Sequence, residues 1–302
     1  MKKILIVGAN GQVGYELVRT LTPLADVVAA TRDGSAGTLR ADLATTDALT
    51  GALDEANADV VVNAAAYTAV DRAEDEPDIA DRINHRAVGE IGAWAKRNGR
   101  RVVHYSTDYV FDGSSTQPYR EDDATAPLGA YGRSKLAGED ALRASGARHL
   151  IVRTAWVYAA RGHNFLRTML RLAGERDELR VVDDQVGAPT PAGLIANATA
   201  MMLRPWLADG GDARRDGTYH VVSSGQCSWF AFAEAIVTAA AASGRIAKRP
   251  RILPIATADY PTRARRPAYS VLDTTKAGAA FGLQLPHWRA GLETVLDELA
   301  TD

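Results

Sequence analysis

The sequence is poor in cysteine, with Cys227 the single one among 302 residues. A lone cysteine excludes an intramolecular disulfide framework and a cysteine-rich zinc site, which fits the reducing cytoplasm. The six histidines show neither the H-x-x-H nor the H-E-x-x-H spacing of a zinc site. We therefore predict no metal site from the sequence.

The sequence also lacks long apolar runs. A membrane span needs about 18 apolar residues in a row, and the run 4–7 behind Lys2 and Lys3 is too short even for a signal peptide. The 35 basic residues nearly balance the 37 acidic ones, which leaves no electrostatic case for a nucleic-acid or membrane partner. The 46% of hydrophobic and 24% of charged residues are typical of a globular protein with a large core.

Apolar segments alternate with helical patterns along the chain. The buried runs 4–7, 27–31, 60–66, 102–106 and 150–154 predict parallel strands, with helices at 14–21, 78–98 and 134–144. This alternation predicts an α/β fold with a doubly wound parallel sheet, Rossmann-like, in a dinucleotide-binding domain over 1–155. We expect the chain to re-enter that domain at about 192–222, and 156–191 and 223–302 to form a smaller, discontinuous substrate-binding lobe.

Three glycines, Gly8, Gly11 and Gly14, follow the first predicted strand. Glycines let the backbone turn tightly and approach a pyrophosphate, and the start of the next helix presents free N–H groups. The spacing is G-x-x-G-x-x-G rather than G-x-G-x-x-G, so a turn that binds no ligand is an alternative. Arg32 ends the second predicted strand and favours the 2′-phosphate of NADPH, although Asp33 beside it leaves NADH as the alternative.

Tyr131 and Lys135 lie four residues apart in a predicted helix. This spacing places both side chains on one face, where an ammonium can lower the pKa of the phenol and make it a proton donor. A Ser-Thr-Asp run at 106–108 lies between the glycine loop and this pair. Together the three features predict a nicotinamide-dependent reductase.

Five longer stretches of sequence are more specific than the glycine spacing or the Tyr-x-x-x-Lys pair. They are VVNAAAYTAVDRAE at 61–74, HYSTDYVFDG at 104–113, YGRSKLAGE at 131–139, RTAWVY at 153–158 and DQVGAPT at 184–190. In this order they closely resemble the dTDP-4-dehydrorhamnose reductase family of extended short-chain dehydrogenases, over nearly the whole chain. Members of that family reduce the C4 ketone of dTDP-4-dehydro-L-rhamnose to dTDP-L-rhamnose, so the resemblance implies a nucleotide-sugar substrate.

The resemblance also implies roles for individual residues. It implies a catalytic set of Thr107, Tyr131 and Lys135, and a sugar site formed by Thr107, Asp108, Tyr131 and Trp156. It implies that the cofactor is bound by Gly8, Gly11, Gln12, Val13, Gly14, Thr31, Arg32, Asp42, Leu43, Ala64, Ala65, Ala66, Tyr67, Thr68, Tyr105, Tyr131 and Lys135. Two interpretations stay open: Trp156 could be core, and Arg263, Arg265 and Arg266 could bind a diphosphate or be solvated.

Some bacterial members of that family dimerise through a magnesium ion held by glutamates. Glu16 stands at one such position, but Gly193 lies in the segment where another glutamate is expected. This departure argues against a metal-bridged dimer and leaves a homodimer without metal open.

Two other functions are compatible with the same patterns. Another nucleotide-sugar 4-ketoreductase or epimerase would keep the fold, the catalytic set and the cofactor, but Trp156 and the run 184–190 argue against it. A non-catalytic regulatory subunit, resembling that of methionine adenosyltransferase, would act by binding a partner. The intact set of Thr107, Tyr131 and Lys135 favours catalysis.

Overall fold

The computed structural model describes residues 1–208 and 213–299. The first half contains β1 (Lys3–Val7), α1 (Gln12–Leu21), β2 (Asp26–Thr31), β3 (Leu39–Arg40), α2 (Thr46–Ala56), β4 (Val60–Asn63), α3 (Pro77–Asp81), α4 (Ala87–Arg97), β5 (Arg101–Thr107), α5 (Ala130–Ala144) and β6 (Arg148–Thr154). The second half contains β7 (Val157–Tyr158), α6 (Phe165–Glu175), β8 (Glu178–Val182), β9 (Val186–Gly187), β10 (Thr190–Pro191), α7 (Ala192–Leu207), β11 (Gly217–His220), β12 (Cys227–Ser228), α8 (Trp229–Ala242), β13 (Arg251–Ile255), α9 (Thr275–Phe281) and α10 (Trp288–Glu298).

Seven strands form a parallel central sheet in the order β11-β6-β5-β4-β1-β2-β3. From β1 the chain winds outward through β2 and β3, and then returns to β4 and winds the other way. This confirms the predicted doubly wound α/β fold. The strand order reverses between β1 and β4, where ligand crevices form in such sheets.

Helices cover both faces of the sheet, which explains why its strands are continuous apolar runs. On one face α1 and α7 pack together and contribute Leu17 and Met202 to the core. On the other face α2, α4 and α5 contribute Leu53, Ile91 and Leu142. A separate core joins α6, α8 and α10 to the paired strands β8 and β13. None of the helices in the described ranges is long and apolar enough to cross a membrane.

Several boundaries differ from the predicted ones. β4 ends at Asn63, three residues earlier than predicted, because the Asn63 side chain accepts a hydrogen bond from the amide of Ala65 and turns the chain out of the sheet. The predicted helix 78–98 contains a π-helical turn, Arg82–Arg86. The Asn84 carbonyl in that turn approaches α5 so closely that a Cβ on Gly138 would lie 2.0 Å from it. Hydrophobic periodicity alone does not reveal such a turn.

A buried ion pair fixes α5 on the sheet. Arg153 of β6 and Glu139 of α5 are 2% and 0% exposed. Arg153 donates two hydrogen bonds, Nε to Oε1 at 2.9 Å and Nη2 to Oε2 at 2.8 Å. Arg143 adds a third contact to Glu139 at 2.5 Å. Glu139 lies two turns after Tyr131 on α5, so this pair helps to set where the helix and its polar residues lie against the sheet.

We expect Arg153→Met to lower the free energy of unfolding by about 3 kcal/mol, because it leaves the Glu139 carboxylate buried without its bidentate partner. Arg171→Met is the matched control, since Arg171 pairs with Glu175 on the surface and should change stability little. Urea denaturation of both variants measures the difference. Equal losses in the two variants would contradict the structural role of the buried pair.

Candidate active site

A cavity of about 900 Å³ lies beyond the carboxyl ends of β1, β2, β4, β5 and β6. It spans the position between β1 and β4 at which the strand order reverses. At one end it reaches Arg32 and Asp42, and at the other Tyr131, Lys135 and Trp156. The fold therefore joins the glycine loop and the Tyr-x-x-x-Lys pair, which are far apart in sequence, in one elongated site.

The glycine loop brings backbone atoms very close together. A Cβ on Gly14 would lie 2.0 Å from the carbonyl oxygen of Gly8, and one on Gly8 would lie 2.8 Å from the amide nitrogen of Ala65. Gly8 also has a φ of +84°, which disfavours other residues. Gly11 precedes α1 and offers no side chain to cap it. The first N–H groups of α1 are thereby available to an anion in the cavity.

At the other side of the glycine loop, Arg32 is exposed on the cavity wall. Within the described ranges its guanidinium makes no hydrogen bond and no ion pair. Hydrogen bonds from the side chain and the amide of Ser35, and then from the Thr31 hydroxyl, lower the pKa of the neighbouring Asp33 carboxyl. A second cavity residue, Asp42, accepts a hydrogen bond from the amide of Ala44. Arg32 is thus a cation that is free to bind an anionic group.

Thr107, Tyr131 and Lys135 all line the opposite end of the cavity. Burial raises the pKa of Tyr131 to about 12, and a hydrogen bond with Thr107 only partly opposes this shift. Tyr109 contacts Tyr131 edge to face, with ring centroids 5.6 Å apart. At neutral pH Tyr131 is a protonated phenol.

Lys135 is almost fully buried, and its Nζ donates a hydrogen bond to the carbonyl of Tyr105 at 2.6 Å. Burial lowers the pKa of Lys135 to about 8. The four-residue spacing predicts that Lys135 lowers the pKa of Tyr131, but in the structure the pKa of Tyr131 is raised. The reason is that burial dominates at Tyr131, while Nζ of Lys135 donates to the Tyr105 carbonyl and contacts Nε2 of His104.

Asp108 is a carboxylic acid at the same end of the cavity as Tyr131. It accepts a hydrogen bond from the Thr107 hydroxyl at 3.0 Å, and burial raises the pKa of its carboxyl to about 6. The carboxylate and the Thr107 hydroxyl together suit hydrogen bonding to the hydroxyl groups of a sugar.

Trp156 lies on the cavity wall and has an unusual backbone conformation. Its φ of 49° is unusual for a residue other than glycine. The indole stacks on Trp229 with ring centroids 3.5 Å apart and an interplanar angle of 5°. Gly187 packs so closely on the indole that a Cβ there would lie 2.5 Å from Cε2. Trp156 therefore lies on the cavity wall and also packs on the start of α8.

Most of the predicted site residues line this cavity, but three do not. Gly14 is covered by Gly8, the Thr31 hydroxyl is bonded to Asp33 and Thr38, and the Tyr67 hydroxyl is bonded to Glu76. The cavity is also lined by residues to which we had assigned no role: Asn10, Asp33, Ala41, Val70, Ile83, Ser106, Tyr109, Thr154, Ala155, Val157, Gly162 and His163. Ser106 and Tyr109 fall inside a run that had marked the site, whereas no sequence signal singled out Gly162 or His163.

The basic segment with Arg263, Arg265 and Arg266 lies outside the cavity wall. Arg263 forms an ion pair with Asp75, and Arg266 bonds Asp71 at 2.7 Å. These two arginines are therefore neither simply solvated nor part of the cavity wall. In the described ranges no group of three His, Cys, Asp or Glu residues is arranged to hold a metal ion, and Glu16 contacts Arg19.

Comparisons with known proteins agree on one family. The family profile of the RmlD substrate binding domain matches residues 1–301. A dTDP-4-dehydrorhamnose reductase of Burkholderia thailandensis is 51% identical over 290 residues, 95% of each chain. The protein of the same name from Escherichia coli K12 is 45% identical over 298 residues, 99% of this chain and 98% of that one. A crystal structure of dTDP-4-dehydrorhamnose reductase from Bacillus anthracis in complex with NADP has a TM-score of 0.89 at 34% identity, covering 98% of this chain and 99% of that one.

We expect Gly187→Ala to separate the two stacked indoles, because the new methyl group would overlap the rigid ring of Trp156. The exciton signal of the Trp156–Trp229 pair in circular dichroism should weaken or vanish. Gly193→Ala is the control, since a Cβ there meets no atom within 4 Å. An unchanged exciton signal in Gly187→Ala would show that the stacking does not depend on this contact.

Proposed function

Because this chain belongs to the dTDP-4-dehydrorhamnose reductase family, we propose that it reduces the C4 ketone of dTDP-4-dehydro-L-rhamnose to give dTDP-L-rhamnose. The reductant is NADPH, in line with the NADP bound to the Bacillus anthracis relative. One observation carries the proposal: a single cavity contains the glycine loop, Arg32 and the set of Thr107, Tyr131 and Lys135.

The residues present fit a phosphorylated dinucleotide. Gly8 and Gly14 let the loop and α1 approach so closely that no side chain fits between them, which leaves backbone N–H groups for the pyrophosphate. Arg32 would hold the 2′-phosphate, and Asp42 the adenine. When bound, NADPH would supply the hydride that reduces the ketone carbon.

The protein supplies the proton. Tyr131 would donate its phenolic proton to the ketone oxygen, so that hydride and proton together convert the carbonyl into a secondary alcohol. Its raised pKa keeps the proton in place until the oxygen becomes basic. Thr107 would turn its hydroxyl hydrogen from Asp108 to the same oxygen, and the Lys135 ammonium would stabilise the phenolate form of Tyr131.

The direct test mixes the protein with NADPH and dTDP-4-dehydro-L-rhamnose and follows the near-ultraviolet absorbance of the reduced nicotinamide. We expect oxidation of NADPH and formation of an equal amount of dTDP-L-rhamnose. Turnover of a different nucleotide-sugar ketone only would favour a related ketoreductase or epimerase. Binding of NADPH without turnover of any ketone sugar would favour a regulatory role.

We expect Tyr131→Phe to reduce kcat by roughly a hundred- to ten-thousandfold, because the general acid is lost, while NADPH binding persists. Steady-state kinetics and NADPH titration measure the two effects separately. Tyr219→Phe is the matched control, because its hydroxyl is bonded to the Arg215 carbonyl and does not line the cavity. Activity of Tyr131→Phe within a few-fold of the parent would remove Tyr131 from the mechanism.

We expect Arg32→Ala to lower the preference for NADPH over NADH by roughly ten- to a hundredfold in the ratio of kcat/KM values, because a charged hydrogen bond to the 2′-phosphate is lost. The measurement is kcat/KM with each cofactor in parent and variant. Arg40→Ala is the control, since Arg40 is equally exposed but lies outside the cavity wall. A parent that prefers NADH, or a ratio unmoved in Arg32→Ala, would contradict this assignment.

A further inference from the structure

His104 lies directly behind the active-site lysine. It is 0% exposed on β5, and its two ring nitrogens face two different side chains. Nδ1 is 3.2 Å from the Nδ2 amide of Asn63, and Nε2 is 3.2 Å from Nζ of Lys135. The parallel register places Asn63 of β4 directly opposite His104. The three side chains therefore form one buried chain of polar contacts that ends at Lys135.

The hydrogen-bond donors in this chain can be assigned. The backbone amide of Ala65 donates to Oδ1 of Asn63 at 3.2 Å, so the oxygen of the Asn63 side chain faces Ala65 and its NH₂ group faces His104. Nδ1 of His104 must then be an acceptor. Burial, with the nearby charge of Lys135, holds the pKa of His104 well below its usual value. A neutral imidazole whose Nδ1 accepts carries its proton on Nε2.

The Nε2–H group of His104 consequently points at Nζ of Lys135. An uncharged amine has a lone pair and can accept this hydrogen bond. An ammonium group has none, so its hydrogens would oppose the Nε2–H group. The other contact of Nζ, with the Tyr105 carbonyl, can be made by either form. The pair of Asn63 and His104 therefore disfavours the charged form of Lys135.

We propose that His104 is a positioning residue whose Nε2–H group shifts Lys135 toward the uncharged amine and thereby sets the pH above which ketone reduction declines. The proposal rests on the proposed function, in which the ammonium of Lys135 supports proton donation by Tyr131. As pH rises through the pKa of Lys135, the ammonium is lost and the rate falls. A group that lowers this pKa moves the decline to lower pH.

Glu139 is an acidic group on the same helix as Lys135. Glu139, one turn further along α5, raises the pKa of Lys135, but its carboxylate is already bonded to Arg153 and Arg143. The remaining titratable groups that face this region are Asp108, Tyr105 and Tyr109 near β5, Tyr131 on α5 and His149 on β6. The contact with His104 is the one hydrogen bond to Nζ, among the described residues, that distinguishes the amine from the ammonium.

Two variants replace the donor that faces Nζ of Lys135 with a hydrogen-bond acceptor. In His104→Gln, the side-chain amide can turn its oxygen toward Lys135. In Asn63→Asp, one carboxylate oxygen can accept from Ala65 while the other accepts from Nδ1–H, which leaves the Nε2 lone pair facing Lys135. Both variants favour the ammonium. In the pH profile of kcat/KM, we expect the alkaline limb, where the rate declines, to move to higher pH by about 1 unit in each variant.

His220→Gln is the matched control. His220 is equally buried in the sheet, bonds the Asp273 carbonyl and does not line the cavity. It should reduce stability without moving the limb. An alkaline limb that stays in place or moves down in both His104→Gln and Asn63→Asp would overturn the proposal, as would an equal upward shift in His220→Gln.

A second measurement uses the parent protein without substrate. Nitrogen-15 NMR of its histidine rings, with backbone-based assignment, should show His104 with a bare Nδ1 and a protonated Nε2. The opposite tautomer overturns the proposal even if the variants fail to fold. Because this measurement needs no turnover, a failed reductase assay and a failed tautomer assignment are distinguishable.

Discussion

Parallel hydrogen bonding is the constraint on which the rest of the structure depends. It places the carboxyl ends of the central strands at one edge of the sheet, and the loops that leave this edge supply most of the site. Gly8 follows β1, Arg32 follows β2, Ala64 follows β4 and Asp108 follows β5. Because the strand order reverses beside β1, these loops diverge and leave room for an elongated ligand.

Helix α5 carries the polar part of the site as a stripe with a spacing of four residues. Tyr131 and Lys135 line the cavity, Lys135 also bonds the Tyr105 carbonyl on the sheet, and Glu139 is bonded to Arg153. A helix repeats every 3.6 residues, so these three side chains share one face. Burying two opposite charges on one helix face is costly unless each has partners. Glu139 has two arginines, whereas the Lys135 ammonium has only the Tyr105 carbonyl as an acceptor among the described residues.

The sequence predicted the fold class and most of the cavity-lining residues, because glycine spacing, apolar runs and motif order are local patterns. It could not predict contacts that depend on strand register or on remote packing. Asn63 and His104 meet because β4 and β5 pair in one register, and Trp156 stacks on Trp229 from a distant helix. The hydroxyl of Thr31 was expected at the cofactor but is bonded to Asp33 and Thr38. The direction of the Tyr131 pKa shift depends on burial, which spacing does not reveal.

The two opposed pKa shifts are consistent with a site built for reduction. Ketone reduction needs a protonated donor before hydride transfer and a cation to stabilise the phenolate afterwards. Burial raises the pKa of Tyr131 to about 12, which retains the proton, and lowers that of Lys135 to about 8. Near neutral pH both groups are therefore protonated. In the proposed reaction, the phenolate of Tyr131 and the ammonium of Lys135 would lie in the same poorly solvated region, where their attraction is stronger than in water. The burial that makes the free phenol a weak acid thus strengthens the interaction that stabilises its conjugate base.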